Sequence, residues 1–384
     1  MRVAIDYQPA VTHPPGVGRY ARELVRALVR LPDRPELALC EFGRAEALYA
    51  THELGIAFGD RATVRVERRL PRIALELLAR FGRGADVLAG GADVLHQVRV
   101  PALPVTTARE TIALAELPAP GSEDELALAR RARRGAGVVV FAREAETRVR
   151  RRIELAHDQV LVAPVGSEHW RRTLSALPPP DAPARVLVLG RLGTGRAFEA
   201  TLAALQLLRE RGIDAELRLA SGLPRPGARV PEGLRAAVAA LAGSPAAPFV
   251  DAAPITADPR AVEAALPALV ARSSVLLHLV RDAASAVTPL EALALGLPVV
   301  ASRIPAFEEV LAEPARALRG AVALVEHERV EREPGILADA LATAIARRTD
   351  PAAQDELQLR AEPHTWEASA RAHLAFWRAR VERA

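Results

Sequence analysis

The sequence contains no lysine, no asparagine and a single cysteine, Cys40. One cysteine excludes an internal disulfide and a metal cluster built on cysteines. The absence of lysine excludes Schiff-base or general-base chemistry on a lysine amine, because arginine stays protonated and cannot take that role. No apolar run approaches the roughly 18–20 residues of a membrane span. Since the opening MRVAID passes straight into a strand-like pattern, we expect a cytoplasmic protein.

Aromatic residues make up only 4% of the chain, and the formal net charge is +4. No stripe of interleaved basic and aromatic residues occurs, which argues against a nucleic-acid partner. The arginine-rich segments 130–134 and 148–152 are interpreted as solvated helix faces. The alternative is contact with anionic lipid head groups at the inner face of the membrane.

Half of the 384 residues are apolar, and the length is sufficient for two domains of ordinary size. Strand-like and helix-like segments alternate along the chain, which predicts an α/β fold with mainly parallel sheets covered on both faces. The predicted strands are Arg2–Asp6, Leu37–Phe42, Thr63–Glu67, Asp93–His96, Val105–Thr107, Ile112–Leu114, Val138–Phe141, Gln159–Ala163, Arg185–Leu189, Ala215–Ala220, Ser274–Leu279, Leu297–Ala301 and Ala321–Val325.

The proline-rich segment LPPPDAPA, 177–184, is the best candidate for a linker between domains. It would separate an N-terminal domain, 1–176, from a second domain, 185–362. A final helix at 363–384 carries Trp366, Leu374 and Trp377, and we expect it to pack back on the first domain.

The segment from Arg281 to Val310 contains a clear helix start. Thr288 is predicted as the N-cap, Pro289 as the first helical residue and Glu291 as the third, which is the spacing of a capping box. Gly296 would end the helix. A helix N-terminus beside a sheet is suited to an anion, because its first N–H groups lack partners within the helix. The pattern alone leaves open whether Glu291 only caps the helix or contacts a ligand.

Two glycine-rich turns follow predicted strands. The turn GRLGTGR, 190–196, places Arg191 and Arg196 beside flexible backbone, which suits a diphosphate or, alternatively, only a solvated turn. The loop from Tyr7 to Arg19 contains Gly16 and Gly18 and would lead into a helix from Tyr20. The first turn and the Thr288 helix are expected at the carboxyl ends of neighbouring strands, where open α/β sheets bind ligands.

Histidines show no ligand spacing. His96 follows an apolar strand and is interpreted as a satisfied core or strand-end residue. His13, His52, His157 and His169 are scattered, and surface or loop positions are expected for each. No metal-binding motif, P-loop, nucleophile elbow or D-x-D pair is present.

The chain resembles the family 4 (group 1) retaining glycosyltransferases of GT-B architecture. The segments that carry the resemblance are MRVAID with GVGRYARELVRAL, VLVLGRLGTGRAFEATLAAL, TPLEALALGLPVVASRIPAFEEVL and HTWEASARAHLAFW. The resemblance implies two Rossmann-like domains that face each other across a cleft, with a C-terminal helix that crosses back to the N-terminal domain. It also implies a nucleotide-sugar donor and no cofactor or metal.

The resemblance also assigns roles to single residues. Arg191 matches a diphosphate-binding arginine, and Arg196 occupies the position of the family's lysine. Glu291 matches the glutamate that holds the donor ribose, and the amides near Thr288–Leu290 match the diphosphate cradle. Gly16 and Gly18 match the loop that faces the diphosphate and the acceptor.

Two departures from the family pattern fall on the sugar side of the predicted site. The first glutamate of the family's pair falls at Ala283, with Asp282 beside it, and the glycines that follow are Ala284 and Ala286. The active-site histidine aligns with Ala115, followed by Glu116. Asp282 and Glu116 are the possible substitutes, and no catalytic residue is assigned.

The resemblance implies transfer of a sugar, with retention, to a glycan, lipid-linked or cell-envelope acceptor, as in polysaccharide biosynthesis. The alternative is a catalytically inactive relative that binds nucleotide or a partner enzyme, which Ala115 and Ala283 favour. A nucleotide-sugar epimerase has only the shared fold to support it. The donor base and sugar, the acceptor and the oligomeric state stay open.

Overall fold

The computed structural model describes residues 1–12, 16–43, 63–172, 174, 177–180, 182–189, 197–220, 250–251, 259–311 and 320–383. They form two compact units. The first unit consists of Met1–Gly166 and Thr365–Ala384, and the second of Ser167–His364. The division falls before the predicted linker 177–184, which therefore lies within the second unit.

The first unit is built on a seven-stranded parallel sheet of order β3-β2-β1-β4-β5-β6-β7. Its central strands are buried on both faces, as their apolar composition predicts. The strands are β1 Arg2–Asp6, β2 Glu36–Phe42, β3 Thr63–Arg68, β4 Val94–Gln97, β5 Arg109–Ala113, β6 Gly137–Val140 and β7 Val160–Val162.

Helices follow most strands of this sheet, as right-handed crossovers between parallel strands require. The helices are α1 Gln8–Thr12, α2 Val17–Leu28, α3 Arg72–Arg80, α4 Ala85–Leu88, α5 Glu123–Arg133 and α6 Arg143–Arg152. A short 3₁₀ helix covers His157–Gln159.

The second unit is built on a six-stranded parallel sheet of order β10-β9-β8-β11-β12-β13. Its strands are β8 Ala184–Leu189, β9 Ala215–Ala220, β10 Val250–Asp251, β11 Val275–His278, β12 Val299–Ser302 and β13 Val322–Val325. Its helices are α7 Phe198–Glu210, α8 Pro259–Arg272, α9 Val287–Leu295, α10 Pro305–Leu311, α11 His327–Arg332, α12 Pro334–Arg347 and α13 Pro351–Ala361, and a 3₁₀ helix covers Glu168–Arg172. Apolar side chains of α7 and α12 pack on the sheet in one continuous core.

The last helix, α14 Trp366–Glu382, belongs to the first unit. Its N-cap Thr365 accepts a hydrogen bond from the Ala368 N–H at 3.0 Å, and the Trp377 indole N–H donates to the Thr111 hydroxyl of β5 at 3.2 Å. The helix therefore completes the core of the unit that opened the chain.

The structure confirms the α/β fold with parallel sheets, and most predicted elements lie within a few residues of their expected bounds. The predicted strand Val105–Thr107 is wrong. Its backbone instead surrounds the buried Asp86 carboxylate, which accepts hydrogen bonds from the N–H groups of Thr106, Thr107 and Ala108 at 2.7–2.9 Å. The buried Asp86 carboxylate needs hydrogen-bond donors, and the N–H groups that satisfy it are therefore not available to pair with a neighbouring strand.

The predicted loop from Tyr7 to Arg19 is also wrong, because it contains α1 and the start of α2. Arg22 of α2 is buried, and its guanidinium donates to the Ala10 carbonyl of α1 at 2.8 Å. The short helix α1 thus supplies a polar partner for a buried charge of α2.

Candidate functional site

The carboxyl ends of β8 and β11 mark the centre of the second unit's sheet. The two strands are neighbours, with Val186 opposite Val275 and Leu187 opposite Leu276, and the order of strands along the chain reverses between them. This is the topological switch point, where open α/β sheets bind ligands. The expected adjacency of the two strands is confirmed. Arg191 and Arg196 lie in the turn after β8, outside the described residues.

Helix α9, Val287–Leu295, begins at this edge, two residues earlier than expected. Ala286 is its N-cap, with φ −99° and no side-chain hydrogen bond, so the predicted capping box with Thr288 as N-cap is wrong. Thr288 and Pro289 lie in the first turn instead. Leu290 is the first of these residues whose N–H is bonded within the turn, to the Ala286 carbonyl at 2.9 Å.

Helix geometry leaves the N–H groups of Val287 and Thr288 without a carbonyl acceptor one turn back, and Pro289 has no N–H. No acidic residue occupies the first turn of α9, so the positive end of the helix dipole is not offset there. Of the residues Thr288–Leu290, predicted to form a diphosphate cradle, only Thr288 has an N–H group without an acceptor inside the helix, because Pro289 has none and that of Leu290 is bonded. Val287, one residue earlier, has a second such N–H group.

Helix α9 is held firmly in the fold, because every residue from Pro289 to Leu295 is buried. Gly296 ends the helix with φ +79°, as expected, in the left-handed region that favours glycine. A Cβ on Gly296 would lie 3.2–3.3 Å from Gln354 of α13, so this helix packs closely against the end of α9. Helix α13 was not predicted from the sequence.

Glu291 is 1% exposed, and its carboxylate Oε1 lies 3.1 Å from Nε2 of His169. His169 stands on the 3₁₀ helix at the start of the second unit, and its ring packs against Trp170 with the ring centroids 5.4 Å apart. The expectation of a surface or loop position for His169 is wrong, because the residue is buried. The signal that sequence reasoning missed is its apolar neighbour Trp170, which fixes a short turn in the interior.

The loop between β11 and α9 contains the positions where the family pattern is broken. Asp282 is exposed and Ala283 is half-buried, whereas Ala284 and Ala286 are buried. Neither buried alanine has a positive φ, so the backbone here does not require the glycines of the family pattern.

In the first unit, Gly16 is the N-cap of α2, with φ +63° and ψ −121°. A Cβ on Gly16 would meet no atom within 4 Å, so open space lies beside a conformation that L side chains rarely adopt. Gly18, in contrast, is buried inside α2. The structure thus places only Gly16 on an accessible loop surface.

Ala115 and Glu116 follow β5 at the carboxyl edge of the first sheet, Ala115 half-buried and Glu116 exposed. His96 is not near solvent, because it is fully buried and bonded to Tyr20 and Thr111 at 2.9 Å each. Its interpretation as a satisfied core residue is confirmed. His157 is exposed, as expected, and His13 and His52 lie outside the described residues.

Asp6 was not singled out from the sequence, yet it ends β1 at the switch point of the first sheet, between β1 and β4. Its side chain is 1% exposed, and Arg99 Nε donates to its Oδ2 at 3.3 Å. Burial raises the pKa of Asp6 above its usual value, although the Arg99 guanidinium acts in the opposite direction. The missed signal is an acidic residue directly after an apolar strand.

The arginine-rich segments are only partly solvated. Arg131 pairs with the buried Glu110, Arg152 pairs with Glu125, and Arg150 Nε lies 2.8 Å from Glu146 Oε1. These contacts tie α5 and α6 to their surroundings, so the two segments are less available to a lipid surface than the sequence pattern predicts.

Among the described residues, no group of three or more histidine, cysteine, aspartate and glutamate side chains is arranged to hold a metal ion. None of the helices seen in this part of the chain has both the length and the apolar character that crossing a membrane requires.

Comparison with known proteins gives a family and a set of similar folds. Residues 90–372 match the family described as family 4 glycosyltransferase in conflict systems. No curated protein matches the sequence.

Among solved structures, sucrose-phosphate synthase from Thermosynechococcus elongatus is similar over 100% of both chains, with a TM-score of 0.70 and 16% identity. A glycosyltransferase from Rickettsia africae ESF-5 gives a TM-score of 0.68 at 12% identity, over 100% of this chain and 99% of its own. WaaG, a glycosyltransferase involved in lipopolysaccharide biosynthesis, gives 0.58 at 14% identity over 98% of both chains. These similarities confirm the GT-B fold.

Proposed function

The chain belongs to the family 4 glycosyltransferases in conflict systems, and on that premise we propose that it transfers a sugar from a nucleotide-sugar donor to a glycan or cell-envelope acceptor, with retention. The bond between the sugar and the diphosphate breaks and a bond from the sugar to an acceptor hydroxyl oxygen forms. The nucleoside diphosphate and the hydroxyl proton are released. The observation that carries the proposal is the start of α9 at the switch point of the second sheet, with Glu291 one turn behind it.

The donor diphosphate would lie against the amides of Val287 and Thr288. Their N–H groups and the helix dipole favour a diphosphate whose negative charge increases as the bond to the sugar breaks. Arg191 and Arg196 are proposed as its guanidinium partners, on the strength of the family pattern. Electrostatic stabilisation of this kind needs no metal, so we expect transfer to proceed in the presence of EDTA.

Glu291 is proposed to bind the ribose hydroxyls of the donor. A carboxylate can accept two hydrogen bonds from neighbouring hydroxyls, which gives specificity for a ribonucleotide. The Glu291 side chain is 1% exposed, so little water would have to leave it on binding.

The acceptor would bind to the first unit, at the switch point marked by Asp6 and Arg99. Arg99 is 31% exposed while its carboxylate partner is buried, so its guanidinium is held at the surface of this edge. Gly16 provides open space on the loop that follows the same strand. These features support an acceptor that carries hydroxyl or anionic groups.

A second candidate is a catalytically inactive relative that binds nucleotide. Ala115 and Ala283 favour it, because methyl groups stand where the family has a histidine and a glutamate. Loss of a group that acts in proton transfer commonly costs roughly 10²–10⁴ in rate. This candidate retains the nucleotide contacts and loses the reaction.

A thermal-shift series with UDP, GDP, ADP and their sugars tests nucleotide binding. At a ligand concentration about 100 times Kd, we expect a rise of roughly 5 °C with one base. Glu291→Gln should reduce the rise, whereas Glu362→Gln, an exposed glutamate at the end of α13, should not. A protein that responds to no nucleotide or nucleotide sugar would contradict both candidates.

Donor hydrolysis and transfer then separate the two candidates. Turnover by the unmodified protein, measured with a radiolabelled sugar on the responding nucleotide, supports the transferase and eliminates the inactive relative. Binding without turnover, unchanged in the double variant Ala115→His/Ala283→Glu, supports the inactive relative.

A further inference from the structure

The contact between His169 and Glu291 connects two elements far apart in the sequence. His169 Nε2 and Glu291 Oε1 are 3.1 Å apart, and the two side chains are 4% and 1% exposed. The 3₁₀ helix that carries His169 packs directly on α9. The family pattern assigns no role to His169.

The segment before His169 is anchored at the backbone. The Ser167 N–H donates to the His364 carbonyl at 3.0 Å, and the Ser167 hydroxyl donates to the same oxygen at 3.1 Å. Trp170, itself 4% exposed, packs against the histidine ring. His169 is therefore held on both sides, so it can fix the position of a neighbouring group rather than follow it.

The ring nitrogen that faces the carboxylate is Nε2, and its proton decides whether the contact is attractive. A lone pair on Nε2 would repel an ionised Oε1 at this distance, so the contact with a carboxylate is attractive only if Nε2 carries a proton. The distance is that of a salt bridge, but the two groups are not aligned as a hydrogen bond, so the attraction is electrostatic. Between two buried side chains this attraction limits rotation of the Glu291 side chain.

We propose that His169 is a positioning residue that orients the Glu291 carboxylate for the ribose hydroxyls of the donor. The inference rests on the proposed function. With Oε1 drawn towards the histidine, the carboxylate has fewer orientations available, and its other oxygen is presented to the ribose hydroxyls. A pre-oriented ligand group binds more tightly because less rotamer freedom is lost on binding.

The test compares nucleotides with and without the ribose hydroxyls. Calorimetric affinities are measured for the nucleoside diphosphate that binds best among UDP, GDP and ADP, and for its 2′,3′-dideoxy analogue. His169→Leu is expected to lose roughly tenfold in affinity for the ribonucleotide, the usual effect of removing a group that orients a ligand-binding residue. Affinity for the dideoxy analogue should stay within twofold, since Glu291 has no hydroxyl to bind there.

Two further variants make the result specific. His169→Gln keeps an N–H donor at a similar reach and should recover most of the ribonucleotide affinity. His327→Leu removes the histidine of a second His–Glu pair in the same unit, where His327 Nε2 lies 3.3 Å from Glu331 Oε1, and should affect both nucleotides equally or not at all.

The outcomes separate this inference from the function on which it rests. If the unmodified protein binds no nucleoside diphosphate, both are overturned. If it binds one, but His169→Leu loses equal affinity for both nucleotides or none for either, only the positioning role is overturned. Thermal unfolding of each variant shows whether a loss of affinity reflects loss of the fold.

Discussion

The Tyr20 hydroxyl lies 2.8 Å from His373 Nε2 and 2.9 Å from His96 Nε2, in the buried centre of the first unit. His373 Nδ1 lies 2.7 Å from the Ser369 carbonyl, which can only accept, so Nδ1 carries the proton and Nε2 accepts from Tyr20. His96 Nε2 must then donate to the Tyr20 oxygen. Its Nδ1 accepts from the Thr111 hydroxyl at 2.9 Å.

The result is one directed chain of hydrogen bonds, and its geometry determines both histidine tautomers. Trp377 starts the chain by donating to Thr111. Every polar atom along it is satisfied while both imidazoles are neutral. Protonating either ring would place a second N–H against a donor or in an apolar surrounding, so the arrangement depends on neutral histidines.

We expect the first unit to lose stability in mild acid. Burial lowers the pKa of His373 to about 4, and burial together with His373 lowers that of His96. Both folded pKa values lie below the unfolded value of about 6.5, so the unfolded chain binds more protons as the pH falls below it. The stabilisation that these neutral histidines provide is complete above about pH 6.5. For His373 it should fall by about 2 kcal/mol between pH 7 and 5, and His96 should add to the loss in the same direction. Urea unfolding at the two pH values measures this.

His373→Gln removes one of the two titrating groups and should reduce the pH dependence of the free energy of unfolding. His157→Gln, which changes an exposed histidine, should leave it as in the unmodified protein. An unchanged pH dependence in His373→Gln would contradict the assignment.

Gly166→Ala is expected to destabilise the first unit by about 3 kcal/mol, because a buried interior cannot take the added methyl group. A Cβ at this position would lie 2.3 Å from Cγ of Trp366 and 2.4 Å from the backbone nitrogen of the same residue. Gly335→Ala is the matched control, since its Cβ would meet nothing within 4 Å in the first turn of α12. The control should be neutral or up to about 1 kcal/mol more stable. Thermal unfolding of both variants gives the comparison.

Arg348 is a buried cation, and each hydrogen bond described for its side chain is donated to a backbone carbonyl. It is 1% exposed and donates to the carbonyls of Ser273, Pro178 and Ala271 at 2.8–3.0 Å. Arg348→Met should cost the second unit about 2–4 kcal/mol, because the carbonyls lose their donors. Arg348→Lys should recover only part of this, since an ammonium lacks the planar fork. Equal stability of the Met variant and the unmodified protein, measured in urea, would contradict this role.

Asp86→Asn should destabilise the first unit by about 2 kcal/mol at pH 7, since bonds to a charged acceptor contribute more than those to a neutral one. The carboxylate accepts from three backbone N–H groups and from the Thr107 hydroxyl at 2.8 Å. Asp339→Asn, an exposed carboxylate on α12, should change stability by less than about 0.5 kcal/mol. Chemical denaturation of the two variants distinguishes a buried structural charge from a surface one.

Local patterns in the sequence were sufficient to predict most of the strands and most of the helices, although β10 was missed. Helix α12, Pro334–Arg347, carries two such local signals, a proline at its start and an apolar face. Strand β9, Ala215–Ala220, is predicted equally well. Their order in two parallel sheets follows from the alternation of elements.

Such local patterns could not predict contacts between residues that are far apart in the sequence. Helix α13 has almost no amphipathic pattern, and only its packing against α9 explains it. The partner of Glu291 is a histidine 122 residues earlier in the chain, and Asp86 draws its donors from a segment that reads locally as a strand. In each case tertiary contacts outweighed the local preference.

The placement of α14 in the first unit means that this unit is interrupted by the whole of the second. A chain leaving the ribosome can bury the second sheet while Tyr20 and His96 still lack the side chains that cover them. The usual order, in which the N-terminal domain folds first during synthesis, is therefore expected to be reversed. The core of the first unit stays incomplete until Trp377 has been synthesised. Up to that point its exposed apolar residues are the part of the nascent chain most prone to aggregation.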